Sequence, residues 1–373
     1  MTAHRPVWAE VDLGAIAANV GALRATTGRA AVLAVVKADA YGHGAVPVSR
    51  AALGAGAAAL GVALVEEGAE LRDAGIDGTV IVLSEPVPDA AEVVVQRGLT
   101  PVVYTEGGIE ALAKAVAAAG APPLGVHLKI DTGMHRVGCS PGAAVELARH
   151  VLAHRELTLA GTCTHFAVAD EPDNNYTARQ VERFDAVLQD LRAAGAAPGT
   201  VHACNTAGAL AFPAAHRDMV RIGIGLYGIA PASVLDGVVA LRPVLSVKAR
   251  VSYVKTVPAG TRLSYGLRYE TDRTGRIATV PIGYADGVPR ALGHRGGHAL
   301  VRGVRCPIAG TVTMDQLMLD VDDLDVAVGD EVVLLGAQDG QEVTAAEWAD
   351  LVDTIPYEIV CGIGPRVPRK YIG

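Results

Sequence analysis

The chain has two hydrophobic textures. From residue 13 to about 230, short apolar runs alternate with Ala-rich segments whose apolar residues recur at three- and four-residue steps. The runs are AVLAVVK (31–37), AALGVAL (58–64), TVIVLS (79–84), TPVVYT (100–105), LGVHLKID (124–131), LTLAGTCTHF (157–166), TVHACN (200–205) and DMVRIG (218–223). Between them, segments such as 106–120 and 174–195 read as amphipathic helices. Eight such strand-helix units with strands apolar on both faces predict a closed parallel (β/α)8 barrel, with an open doubly wound sheet as the runner-up. After about residue 240 the helical texture gives way to partly alternating strands and Gly-rich turns, which predict a mostly antiparallel β-domain. The expected division is 1–235 for the barrel and 236–373 for the β-domain, with the N-terminal strand joining the latter.

Composition narrows the class. With 373 residues, half of them apolar, the chain can bury a sizeable core, and its formal net charge of −8 argues against a nucleic-acid partner. No apolar run is long enough for a transmembrane helix, and the N-terminus MTAHRPVWAEVDL lacks the apolar segment of a secretory signal, so a cytoplasmic protein is expected. The five cysteines are widely spaced without a CxxC pair and read as small buried hydrophobes. His294 and His298 in HRGGH have metal-like spacing, but their glycines make the stretch a loop, and no metal is expected. The acidic stretch 319–331 reads as a solvated turn rather than a calcium loop, because the ligand spacing and central Gly are missing.

In a β/α barrel, working residues sit where strands run out into the following loops. Run one ends in Lys37, with Tyr41 one short loop beyond; run five carries Lys129 and leads to Arg136; run six ends near His165; run seven leads into Asn205 and Thr206; run eight holds Arg221. Singly, each reads as a solvated or paired polar group. Together they predict convergence on one rim. A lysine emerging from an apolar strand is placed for partial desolvation, which favours the neutral amine that attacks carbonyls, so Lys37 is a candidate for Schiff-base chemistry with an aldehyde cofactor.

The motifs VKADAYGHG around Lys37, HLKIDTGMHRVG (127–138), THFAVADEP (164–172), RIGIGLYG (221–228), SYG (264–266), GYADG (283–287), TMDQ (313–316) and YEIVCGIGPRVPR (357–369) occur together and in order. In these the sequence resembles the alanine racemase family, the fold-type III pyridoxal 5′-phosphate enzymes, over the whole chain. The resemblance implies a TIM-like barrel, a pyridoxal 5′-phosphate cofactor, and interconversion of L- and D-alanine supplying D-alanine for peptidoglycan. It implies Lys37 as the Schiff-base lysine and one base, and Tyr265 as the second. It also implies Arg136 near the substrate carboxylate, and Lys129 as a carbamylated lysine in some members, holding that arginine. Arg221 corresponds to the arginine facing the pyridine nitrogen. Tyr41, Thr206 and Tyr357, with the backbone of Gly223 and Ile224, correspond to phosphate ligands. His165 is implied beside the cofactor ring, with Asn205 behind it. Tyr284, Met314 and Asp315 are implied at the substrate, and a homodimer with shared active sites follows. Thr313 replaces a usual Cys, Gly364-Pro365 a polar pair and Thr206 a Ser. The first two departures bear on substrate preference, whereas Thr206 for Ser is chemically mild, so a racemase for serine or another small amino acid stays open. A fold-type III decarboxylase and a non-catalytic pyridoxal-phosphate carrier share parts of this plan. The SYG motif argues against the first, and the β-domain against the second.

Overall fold

The computed structural model describes residues 4–373, and the chain divides into two compact units. One comprises Ala15–Ala40 and Ala45–Arg242; the other takes in the segment through Gly14, Tyr41–Gly44 and Pro243–Gly373.

The first unit is the barrel. After β1 (Val7–Asp12), which belongs to the other unit, come β2 (Ala31–Val35), β3 (Ala59–Val62), β4 (Val80–Val82), β5 (Thr100–Val103), β6 (Leu124–Lys129), β7 (Leu157–Cys163), β8 (Thr200–His202) and β9 (Met219–Ile222), which close in that order. Parallel pairing of β2 with β9, Leu33 opposite Arg221, shuts the ring. Each strand is one of the eight apolar runs, and buried Leu33, Leu60 and Ile81 show why the runs carry no alternation: both strand faces are covered. The outer helices follow from their periodicity and end signals. The helix Glu106–Ala119 starts where Thr105 Oγ1 accepts the Gly108 N–H at 3.0 Å, and it stops at Gly120, whose φ of 58° is the left-handed stop that glycine adopts freely. The helix Tyr176–Ala193 buries Phe184, Val187, Leu188 and Leu191, at the spacing of one helical face. Each such side chain contributes about 1.5–3 kcal/mol on full burial.

In the second unit, β1 lies between β10 (Leu245–Arg250), antiparallel, and β20 (Arg369–Ile372), parallel. The sheet continues from β10 through β18 (Glu331–Gln338) to β15 (His298–Val301) and β16 (Val304–Pro307), with β19 (Gln341–Val343) paired to β18. A second sheet orders β11 (Tyr253–Val257), β14 (Gly275–Val280) and β17 (Leu317–Asp322), and β12 (Arg262–Leu263) pairs with β13 (Tyr269–Glu270). The unit is mostly antiparallel, as the change of texture predicts.

Two local expectations are corrected. The acidic stretch 319–331 is not all turn: Leu319 and Val321 are buried alternately with half-buried Asp320 and Asp322, so its first four residues complete β17. Four cysteines are buried, but Cys361 is exposed, because the helix Pro356–Gly362 turns Ile359 and Val360 inward instead. No helix among the described residues is long and apolar enough to cross a membrane.

Candidate active site

Lys37 stands two residues beyond the end of β2 and is half-buried. The chain then does something composition does not announce: Ala38, Asp39, Ala40 and Tyr41 all take φ between 51° and 55°, and Gly42 takes 79°, which makes one turn of left-handed helix. Such a turn costs about 1–2 kcal/mol for each residue bearing a Cβ, so outside contacts must hold it. Within the barrel unit, Glu67 Oε1 accepts the Ala38 N–H at 2.6 Å, while its Oε2 accepts from Ala63 and Leu64. Asp39 Oδ1 accepts the Ala45 N–H at 2.7 Å. The Lys37 amine makes no hydrogen bond or ion pair among the described residues.

Arg221, on β9, is nearly buried and organises the barrel's polar interior. Its Nη1 donates to His202 Nδ1 at 3.0 Å, and Nη2 to His165 Nδ1 and to the carbonyls of Thr164 and Ala203, each at 2.9 Å. A guanidinium only donates, so both Nδ1 atoms are acceptors and both rings carry their proton on Nε2. The His202 Nε2–H then donates to His127 Nδ1 at 2.8 Å, which fixes a third tautomer. Burial, reinforced by the Arg221 charge, holds His165 and His202 well below the usual imidazole range and brings His127 down to about 4. Gly161 keeps room for this chain: a Cβ there would stand 2.5 Å from His127 Nδ1. The Nε–H of Arg221 has no partner among the described residues, so the buried cation has one donor to spare.

Three neutral histidines make stability pH-dependent. An unfolded histidine takes up a proton near pH 6.5, whereas folded His127 does so only near pH 4, so its contribution is full above the first value and lost as pH falls toward the second. Urea unfolding is expected to show stability declining below about pH 6.5, by up to roughly 1.4 kcal/mol per pH unit for each such histidine. A His127→Gln variant should lose stability less steeply; an unchanged slope would mean that His127 is protonated in the fold.

Lys129, at the end of β6, lines a small recess with Asp131, Met134, Arg136 and His165. Burial pushes its amine below the usual lysine range, with the charges of Arg221, Arg136 and Lys37 acting in the same direction and Cys163 against it. Exposed Arg136 finds no carboxylate within ion-pair reach among the described residues. Its loop is shaped by Asp131 Oδ1, which accepts from Gly133 and His135, and by Gly138, at φ 129°, where a Cβ would meet the Asp131 nitrogen at 2.8 Å. Buried Gln180 ties this loop to the next, donating to Thr132 Oγ1 and the His165 carbonyl while accepting from Ala167 N–H. Thr206 Oγ1 accepts from Gly223 N–H at 3.0 Å, and Ile224 opens a 3-10 turn. Asn205 is the N-cap of the helix Thr206–Ala211, accepting from Gly208 N–H at 2.9 Å.

In the other unit, Tyr41 and Tyr357 have ring centroids 6.0 Å apart. Burial, with Tyr357 and Cys361 adding to it, raises the Tyr41 phenol well above its usual range and keeps it a neutral donor. Tyr265, 73% exposed, follows Ser264 at φ 62°, and its carbonyl accepts from Thr311 Oγ1 at 2.9 Å. The Tyr284 and Ala285 N–H groups donate to the carbonyls of Thr313 and Met314, so Tyr284 and Met314 stand on abutting turns, both exposed. Asp286 anchors these turns, fully buried and held bidentately by Arg5 at 2.7 and 2.9 Å. Asp315 pairs with Arg366 at 2.7 Å.

Strand-end reasoning thus finds Lys37, Lys129, His165 and Arg221 around one barrel, but it passes over His127, His202 and Gln180. His202 ends β8, within run seven, and lies within reach of the same rule. Gln180 carries no signal, being one polar residue on a long helix.

Family models for the alanine racemase N-terminal and C-terminal domains match residues 11–231 and 244–371. The alanine racemase of Symbiobacterium thermophilum is 50% identical over 370 residues, covering 99% of this chain and 98% of that protein. Among solved structures, the alanine racemase of D-cycloserine producing Streptomyces lavendulae superposes with a TM-score of 0.94 at 40% identity, over 100% of this chain and 98% of that one. That of Bacillus anthracis with bound L-Ala-P gives 0.93 at 36%, over 100% and 96%.

Proposed function

The chain belongs to the alanine racemase family and is an isomerase, and on that premise we propose that it interconverts L- and D-alanine with pyridoxal 5′-phosphate and two bases, Lys37 and Tyr265. When bound, the cofactor withdraws electrons from the amino acid and acidifies its Cα–H. The observation that supports this reading is a pairing of unmet groups on adjoining strands: the amine of Lys37 beyond β2 and the spare Nε–H of Arg221 on β9. An aldehyde answers the first. A pyridine nitrogen with its lone pair free answers the second, and a donor-only guanidinium suits that unprotonated form.

Lys37 holds the cofactor and moves the proton on one face of Cα; Tyr265 serves the other, since one rigid base cannot reach both. His165 and His202, kept neutral, hold Arg221 in place without competing for its charge. Phosphate binding is assigned to Thr206 with the Gly223 and Ile224 N–H groups, and to the phenols of Tyr41 and Tyr357, because hydroxyls and loop N–H groups suit a dianion. Arg136 takes the substrate carboxylate, with Tyr284, Met314 and Asp315 at the substrate. The depressed Lys129 amine fits carbamylation, which replaces a cation by the anion that Arg136 lacks. The exposed Tyr265, Tyr284 and Met314 support a homodimer in which this face is covered, and a cytoplasmic role supplying D-alanine for peptidoglycan completes the reading. The relative solved with L-Ala-P supports a small amino acid as substrate, alanine ahead of serine.

Borohydride reduction of the purified holoenzyme should abolish its visible absorbance and fix the cofactor irreversibly. Peptide mapping should find the label on Lys37. A label on Lys129 or any other lysine overturns the assignment.

A further inference from the structure

Away from the rim, the outer helices Glu106–Ala119 and Ala144–Ala153 carry three side chains that the racemase chemistry does not use. His150 is in the last turn of the second helix and His154 is its C-cap, so the two sit one turn apart on the same face. Glu110, in the second turn of the first helix, reaches across to both. Its Oε1 lies 3.1 Å from His150 Nε2 and 3.4 Å from His154 Nε2, and one ligand atom from each of the three residues lies within 4.8 Å of the others. The imidazoles meet edge to face, 90° between planes and 5.2 Å between centroids, so the nitrogens converge while the rings do not stack. His150 Nε2 is closed to solvent yet makes no hydrogen bond, despite its nearness to the carboxylate.

Around a tetrahedral zinc ion with ligand bonds of about 2.0–2.1 Å, neighbouring ligand atoms stand about 3.3 Å apart. Both nitrogen-to-oxygen distances fall near that edge length, while an ordinary ion pair would place its hydrogen in line, which His150 does not. We propose that Glu110, His150 and His154 form a binding site for a divalent transition-metal ion, zinc by its ligand set, with water in the fourth position. Two imidazoles and a carboxylate suit Zn2+ better than Mg2+ or Ca2+, which favour all-oxygen sites. The ion would clip one outer helix of the barrel to the next and stabilise the fold by mass action. The HxxxH spacing at 150 and 154 is visible in the sequence, but the third ligand is forty residues away and only the packing of the two helices supplies it.

The test is calorimetric titration of the holoenzyme, stripped of metal by a chelator, with zinc chloride, together with the thermal midpoint with and without zinc. Wild type should bind one ion per chain and melt higher with it. His150→Ala, His154→Ala and the isosteric Glu110→Gln should each bind on the order of 100-fold more weakly and lose the thermal shift, with circular dichroism showing the fold retained. Wild type that binds no zinc at up to about millimolar concentration overturns the site. So does binding undiminished in the Glu110→Gln and His154→Ala variants, which would place the ion elsewhere, for example at exposed Cys361.

Discussion

Mixing inactive Lys37→Ala subunits with inactive Tyr265→Ala subunits is expected to restore racemisation to about a quarter of wild type, half of the dimers each regaining one of two sites. Each variant alone should be slower by on the order of 10³-fold or more, because removing a positioned base forfeits general acid–base catalysis. The reason is stereochemical. A proton leaves one face of Cα and arrives at the other, so the bases must stand on opposite sides of a flat group. Lys37 stands just beyond the end of a buried strand, whereas Tyr265 rides on an exposed turn of the other unit, 73% open to solvent, with exposed Leu267 two residues on and exposed Met314 in the same unit. An apolar face of that kind, carrying the phenol proposed as the second base, is one that a second copy of the chain would cover. In an isologous pair each site then takes Lys37 from one subunit and Tyr265 from the partner subunit. A mixture that demonstrably exchanges subunits and still shows no activity would place both bases in one chain.

Arg221→Glu should lower racemisation about 10²- to 10³-fold, the usual loss when a preorganised charge is removed from a buried site, and it should release pyruvate that wild type does not. Two effects act together. The carboxylate accepts where the guanidinium donates, so a cofactor in that site would keep its ring nitrogen protonated and withdraw electrons more strongly, making return of the proton to Cα less exclusive. The change also removes the cation that, after burial, most strongly holds His165 and His202 neutral, and lets both take up protons more readily. Arg221→Gln separates the effects: it removes the charge without offering a carboxylate, so it should lose rate but yield no pyruvate. Pyruvate is followed with lactate dehydrogenase and D-alanine by chiral chromatography. Equal pyruvate from the Glu and Gln variants would sink the explanation, as would a Glu variant racemising at the wild-type rate.

The fold is legible because its strands are continuous apolar runs, which only a doubly covered strand tolerates, and the barrel closes through those same runs. The rim is legible where a charged residue interrupts or ends such a run, as at Lys37, Lys129 and Arg221. The support behind the rim is not. His127 lies in a run whose lysine is the more conspicuous charge, and nothing in the one-letter string says that His202 spans the distance from Arg221 to His127. Cys361 defeats the buried reading because a cysteine's burial depends on which helix face it occupies, and a seven-residue helix has too few turns to declare its face. The carboxylate of Glu67 looks like one of many acids on a solvated helix, yet it fixes the first N–H after Lys37.

The left-handed turn after Lys37 also depends on what surrounds it. A right-handed helix can start from its own hydrogen bonds, but a left-handed turn through Ala38, Asp39, Ala40 and Tyr41 costs roughly 4–8 kcal/mol of local strain, comparable with the whole stability of an ordinary domain. Contacts made by its side chains and backbone must offset that cost. Among those contacts, Glu67 beyond β3 accepts the Ala38 N–H, so the turn's conformation rests on the packed barrel rather than on the preferences of its own residues. The backbone that presents Lys37 is therefore shaped by the folded barrel around it and not by the segment that carries it.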